Sequence, residues 1–169
     1  MSNGSDAVMR EDLVVKRIID APVDLVWRAW TEPERLMRWW GPKHWTSPSC
    51  KIDLREGGRY IFCMQAPPEQ GGQVQYSSGI YTKVVPLQLL EYTMYLSDSD
   101  GNPVDPASIG MPPDFPKEIR NSVAFKPKGT MTEVTITEYD WPVSQMYIYS
   151  IVGVHQTIDK LAESLEASQ

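Results

Sequence analysis

Apolar and polar positions alternate with a period of two in several stretches of this chain, and the rhythm changes to a helical one near the start and at the end. The β-branched run from Val14 to Ile19, stopped by Asp20 and Pro22, predicts a first strand. In VDLVWRAW the period changes: Val23, Val26, Trp27 and Trp30 fall on one face of a short helix with Pro22 near its first turn. TEPE follows, where Thr31 as N-cap and Glu34 three residues later fit a capping box. A second short helix, PERLMRWW, is then expected to run to the stop at Gly41-Pro42.

From Ser49 the two-residue rhythm returns. SCKIDLR and RYIFCM form a hairpin with its tip at Arg55 to Arg59. VQYSSGIYTKVVP and LQLLEYTMYLS are longer strands parted by Pro86. Asp98 to Pro116 is rich in turn formers and predicts a long loop, and EIRNSVAFKPKGTMTEVTITEYD predicts a last hairpin turning at PKGT. Residues 143 to 167 then carry Tyr147, Ile151, Val154, Ile158, Leu161 and Leu165 at spacings of 4, 3, 4, 3 and 4, the stripe of a long helix. Near its start the apolar face broadens to Met146, Ile148 and Val152, which predicts a wide apolar surface opposite. The order is strand, two helices, about six strands and one long helix: an α+β fold whose sheet is covered on one face by the terminal helix.

Composition narrows this picture modestly. With 169 residues the chain reads as one domain over residues 11 to 169, after a flexible N-terminus of residues 1 to 10. A net charge of −6 argues against a nucleic-acid partner and against docking on an anionic membrane. No run reaches the ~20 apolar residues needed to span a bilayer and no secretory pattern opens the chain, so membrane insertion is not expected and a cytoplasmic location is. Cys50 and Cys63 read as free thiols, with a pair across the hairpin as the alternative.

APVDLVWRAWTEPERLMRWWGP, IDLREGGRY, GIYTKVVPLQLLEYTMYL and the terminal GVHQTIDKLAESL resemble the activator of Hsp90 ATPase homologue 1-like (AHSA1-like) family, within the START/Bet v 1-like (SRPBCC) superfamily. The likeness runs in order from about Leu13 to Leu165. It implies a helix-grip fold: a curved antiparallel sheet around the long C-terminal helix, with the two short helices closing one end. The superfamily spans carriers, cyclases and co-chaperone domains, so the resemblance specifies architecture and leaves chemistry open.

The residues themselves suggest a cavity between sheet and terminal helix that takes a small hydrophobic, aromatic or lipid-like ligand. WWGPKHW places Trp39, Trp40 and Trp45 beside a helix end, where they either seal the core or line a cavity mouth. The strands add Tyr60, Phe62, Met64, Tyr76, Tyr81, Tyr92, Met94 and Tyr95, about half of which must face inward. The candidate lining is Trp40, Trp45, Phe62, Met64, Tyr81, Met94 and Tyr95, with Ile148, Val152 and His155 as the floor. Tyr81, Tyr95, Trp45 and His155 are the candidate polar handles, and the loop from Asp98 to Pro116 a candidate lid. His44 fits an exposed loop. No spacing of His or Cys suits a metal, no phosphate-binding glycine loop is present and no nucleophile elbow occurs, so no cofactor, metal or catalytic residue is assigned. The alternatives are a co-chaperone-like or homodimeric interaction module, and a cyclase- or hydrolase-like enzyme using a cavity Tyr or His.

Overall fold

The computed structural model describes residues 8–167. Its elements follow in the order β1 (Arg10–Ile19), α1 (Val23–Thr31), α2 (Pro33–Leu36), β2 (Cys50–Ile52), β3 (Arg59–Gln65), β4 (Val74–Val85), β5 (Leu89–Ser97), β6 (Ile119–Lys128), β7 (Met131–Pro142) and α3 (Gln145–Ala167). The seven strands form one curved antiparallel sheet ordered β1-β7-β6-β5-β4-β3-β2, with α3 as the long C-terminal helix. Strands β2 to β7 are sequential neighbours, while β1 joins the far edge beside β7. The chain therefore leaves the sheet at one edge and re-enters at the other, and α1 and α2 bridge the gap.

This is the element order read from the sequence, with differences at the ends of elements. Helix α2 stops at Leu36 and continues as turns. The expected capping box is not formed: Glu32 precedes α2 without a side-chain cap, and the Thr31 hydroxyl donates instead to the Trp27 carbonyl inside α1. A sequence-local signal lost here to the continuation of α1 by one residue. The start of α3 does carry a cap, with Ser144 Oγ accepting from the Tyr147 N–H. The first strand already includes Arg10; residues 1 to 7 of the expected flexible N-terminus lie outside the described residues.

The stripe on α3 faces the sheet as its spacing requires: Ile158, Leu161 and Leu165 are fully buried, and Tyr147, Ile151 and Val154 partly so. The helix approaches β1 and α1 most closely. Arg17 of β1 ties to Asp159 at 2.7 Å on one side. On the other, Lys160 Nζ donates to the carbonyls of Gly41 at 3.0 Å, Pro42 at 3.3 Å and Trp45 at 2.7 Å. Desolvation in that cradle lowers the Lys160 pKa. Gly41 has φ 107°, which frees the loop to turn its carbonyl toward the helix.

Three expected floor residues are misplaced. Ile148 and Val152 are 56% and 51% exposed, and His155 is exposed as well. They sit about a quarter-turn from the stripe, on the outer side of α3, so the helix presents a narrower face to the sheet than its composition suggests. Tyr95 is also turned away. It pairs across strands with Ser78, which pairs with Ile61, and its hydroxyl donates to Gly101 O at 3.1 Å on the convex side. Alternation puts it opposite Phe62 and Tyr81. The same alternation separates the thiols: Cys50 pairs with Phe62 and faces inward, Cys63 is one residue further and faces outward, and both are free. Burial pushes the Cys50 thiol up to about 12, which makes it inert at neutral pH.

Candidate functional site

The concave face divides into two regions. At the end bridged by α1 and α2, aromatic rings fill the space. Trp30 and Trp39 meet edge-on at 4.7 Å, Trp39 and Trp40 at 5.6 Å, and Trp40 and Phe62 at 4.7 Å. Tyr60 lies 4.4 Å from Phe62 and 5.3 Å from Tyr81. Trp39 is 1% exposed and its indole N–H donates to Ala29 O, so it seals the core. Tyr60 donates to the Thr93 carbonyl at 2.7 Å across Gly79, where any Cβ would come within 1.7 Å of that same oxygen. Candidates Trp40, Phe62 and Tyr81 belong to this packed cluster.

The second region begins one step along the strands. Register places Leu13, Glu138, Asn121, Tyr92 and Tyr81 in a single row across β1, β7, β6, β5 and β4. Residues directly opposite on antiparallel strands stand about 4.5–5.5 Å apart, so this is a contiguous polar strip on the concave face. Rows of Val15, Ile136, Val123 and Leu90 on one side, and of Met94 and Ile119 on the other, are apolar. Val154 of α3 packs against both apolar clusters and so stands over the strip between them.

Glu138 is the unexpected member. Its carboxyl lies deep in the protein and is raised to about 7, because burial opposes the charged form more than one hydrogen bond supports it. That bond, 2.9 Å long, comes from the indole N–H of Trp141 to Oε1. The residue as a whole is nevertheless only partly buried. Asn121 is buried and donates to Ile119 O. The phenol of Tyr92 is driven up by burial and then by the Glu138 charge. That of Tyr81 is driven up by burial, and its hydroxyl is buried with no partner.

Around this strip the packing loosens. Met94 on the sheet and Met146 and Ile151 on the helix are only partly buried. Gly153, beside Val154, is partly buried, and a Cβ built on it would meet nothing within 4 Å. Phe115, near the end of the long loop, stacks edge-on against Trp141 at 5.7 Å and closes this end. The first part of that loop lies on the convex face instead, with Gly101 against Ile61 and Ser78. Met64 and Trp45 flank Gly41 at the rim, both partly buried. Two surface depressions, of about 450 Å³ near Arg10, Arg120 and Tyr139 and about 580 Å³ near Pro22, Leu25 and Gly129, lie away from all of these residues.

Of the sequence candidates, the structure therefore groups Trp40, Phe62 and Tyr81 in the packed end, Trp45 and Met64 at the rim, and Met94 beside the polar strip. Glu138, Asn121 and Trp141 were missed, and Tyr92, named among the strand aromatics, was not chosen for the lining. A signal was present: in MTEVTITEYDW the inward positions Thr132, Val134 and Ile136 continue to Glu138, so a carboxylate falls on the core-facing parity. Among the described residues no group of His, Cys, Asp and Glu is arranged to hold a metal ion, and no helix is long and apolar enough to cross a membrane.

This architecture is widely shared. A solved structure of a Nitrosomonas europaea protein is 28% identical, with 93% of this chain and 95% of that one covered and a TM-score of 0.72. An AHSA1-like protein from Aeromonas hydrophila is 22% identical over 94% of each chain, with a TM-score of 0.70. The AHSA1 protein of Silicibacter pomeroyi is 20% identical, covering 94% and 100%, with a TM-score of 0.72. No curated protein matches. The family model described as activator of Hsp90 ATPase homolog 1-like protein matches residues 20–166, nearly the whole chain, and the chain belongs to that family.

Proposed function

We propose that this protein binds a small, largely apolar molecule on its concave face, between α3 and the strip Glu138–Asn121–Tyr92. The fold family is one used for ligand binding. The observation that carries the reading is Glu138: an interior carboxyl with one hydrogen bond, in a residue only partly buried, is costly to keep unless something uses it. Met94, Met146 and Ile151 offer adaptable apolar walls, and burial against them supplies affinity at roughly 25 cal/mol per Å². Phe115 and the segment before it serve as the lid.

Native mass spectrometry of protein taken from its own host should show a co-purifying small molecule, and a library of aromatic and lipid-like compounds should raise the melting temperature. Absence of both sinks the reading. A second reading, an interaction module, is favoured by the exposed apolar side chains Ile148, Tyr149 and Val152 near the start of α3 and Val143 just before it. Concentration-dependent sedimentation would support it. The enzyme alternative built on a cavity Tyr or His gains no support, because His155 faces solvent and the Tyr81 hydroxyl has no base beside it.

A further inference from the structure

Resting on the binding reading above, we infer that the ligand is a primary or secondary amine with an apolar body, and that its ammonium group pairs with Glu138. The argument is one of complementarity. Among the described residues no lysine, arginine or histidine forms an ion pair with Glu138. The influences on its carboxyl are burial and the Trp141 N–H, with no cation among them. Oε1 accepts from Trp141, no other hydrogen bond to the carboxyl forms among the described residues, and the residue is only partly buried. An interior carboxylate is stabilised by a hydrogen-bonded opposite charge, and here the protein does not provide one.

The surroundings suit an ammonium group and suit an anion poorly. The Trp141 indole lies against the carboxyl, and Tyr92, two strands along the same row, feels its charge; both are aromatic groups of the kind that attract a cation. Asn121 carries a side-chain carbonyl with no partner among the hydrogen bonds found, a second acceptor in the same row. Beyond these, Leu13, Met94, Ile119, Ile151 and Val154 leave only apolar surface for the rest of the molecule.

Ionisable groups on the surrounding elements include Tyr92 on β5, Arg17 on β1, and Tyr147 and His155 on α3. Arg17 is engaged by Asp159, the Tyr147 hydroxyl donates to Asp12 O, and His155 projects to solvent. Burial raises the phenols of Tyr92 and Tyr81 further from neutrality, so Glu138 is the group in the strip that titrates between pH 6 and 8. An ammonium ligand binds the carboxylate form. With Glu138 at about 7, that form is about one molecule in eleven at pH 6 and ten in eleven at pH 8, and the affinity should rise about tenfold between them.

The test compares hexylamine, 1-hexanol and hexanoate by titration at pH 6 and 8, in the full chain and in Glu138→Gln. The inference expects the amine to bind at least about tenfold more tightly than the alcohol at pH 8, to lose that advantage at pH 6 and to lose it in Glu138→Gln, with hexanoate weakest. Thermal melts of Glu138→Gln establish that it is folded. Equal binding of amine and alcohol overturns the inference while leaving the apolar site standing. An amine preference that persists in Glu138→Gln also overturns it, since that is attraction to the acidic surface. Failure of all three probes at millimolar concentration counts against the inference and the site together.

Discussion

Where α1 and α2 close the sheet, Trp30, Trp39, Trp40, Tyr60 and Tyr81 each meet two or more other rings; where α3 begins, Glu138 has one hydrogen bond, and Met94 and Met146 of the same end are only partly buried. Both regions lie on the same concave face and share the residue row that runs from Tyr81 to Leu13. The difference is one of commitment. Edge-on aromatic pairs each add about 0.5–1.5 kcal/mol beyond their burial and fix one geometry. Partly buried thioethers around an underpaired carboxyl fix much less. Stability is concentrated at one end, and adaptability is left at the other.

Substitution should expose this gradient. Trp39→Ala removes the ring that meets Trp30 and Trp40 and the bond to Ala29 O, and should cost about 3–5 kcal/mol in denaturant unfolding. A loss under about 1 kcal/mol would mean that the aromatic end is not the stabilising one.

Glu138→Gln should do the reverse, and only at higher pH. The folded carboxyl is raised to about 7 from the ordinary 4.5 of a free glutamate, so the folded state holds the proton that the unfolded state releases. This group's contribution to stability is therefore full below about pH 4.5 and lost as pH rises through 7. The glutamine variant escapes that loss and should be more stable than the parent at pH 8, by on the order of 2–3 kcal/mol, while matching it near pH 4.5. Melting curves across that range would check it; a difference independent of pH would remove the buried-carboxyl account.

Met94→Ala at the loose end should cost about 1–2 kcal/mol, below the cost of Trp39→Ala, because Met94 is only partly buried and its neighbours can relax into the gap. If the two variants lose equally, the contrast between the regions fails.

Much of this arrangement was legible in the chain and some was not. Alternation and helical spacing placed nearly every strand and the stripe of α3, because those patterns are set by which face meets the core. The same alternation contained Glu138, since Val134 and Ile136 fix the parity of β7, but a single acidic residue reads as surface until its strand is known to have neighbours on both sides. Tyr95 and Met94 are adjacent on β5 and cannot share a face, and pairing of Tyr92 with Tyr81 fixes Met94 as the inward one, a choice that needs the partner strand. The three-carbonyl cradle of Lys160 joins residues 115 or more positions apart, and no local pattern announces it.

The smallest effect concerns the outer side of α3. The helix looked broadly apolar over its first turns, and Ile148 and Val152 were expected beneath a ligand. At 51% exposure Val152 has already kept half of its surface in water, so replacing it changes little that folding had buried. Val152→Ser should shift unfolding by no more than about 0.5 kcal/mol and leave binding of any concave-face ligand unchanged. If the face instead meets a second copy of the chain, the same substitution should lower self-association in sedimentation while the unfolding of dilute protein stays as it was. A loss above about 1 kcal/mol in the dilute protein, or a weakened ligand, would place Val152 inside after all and make the two ends of the concave face less different than they look.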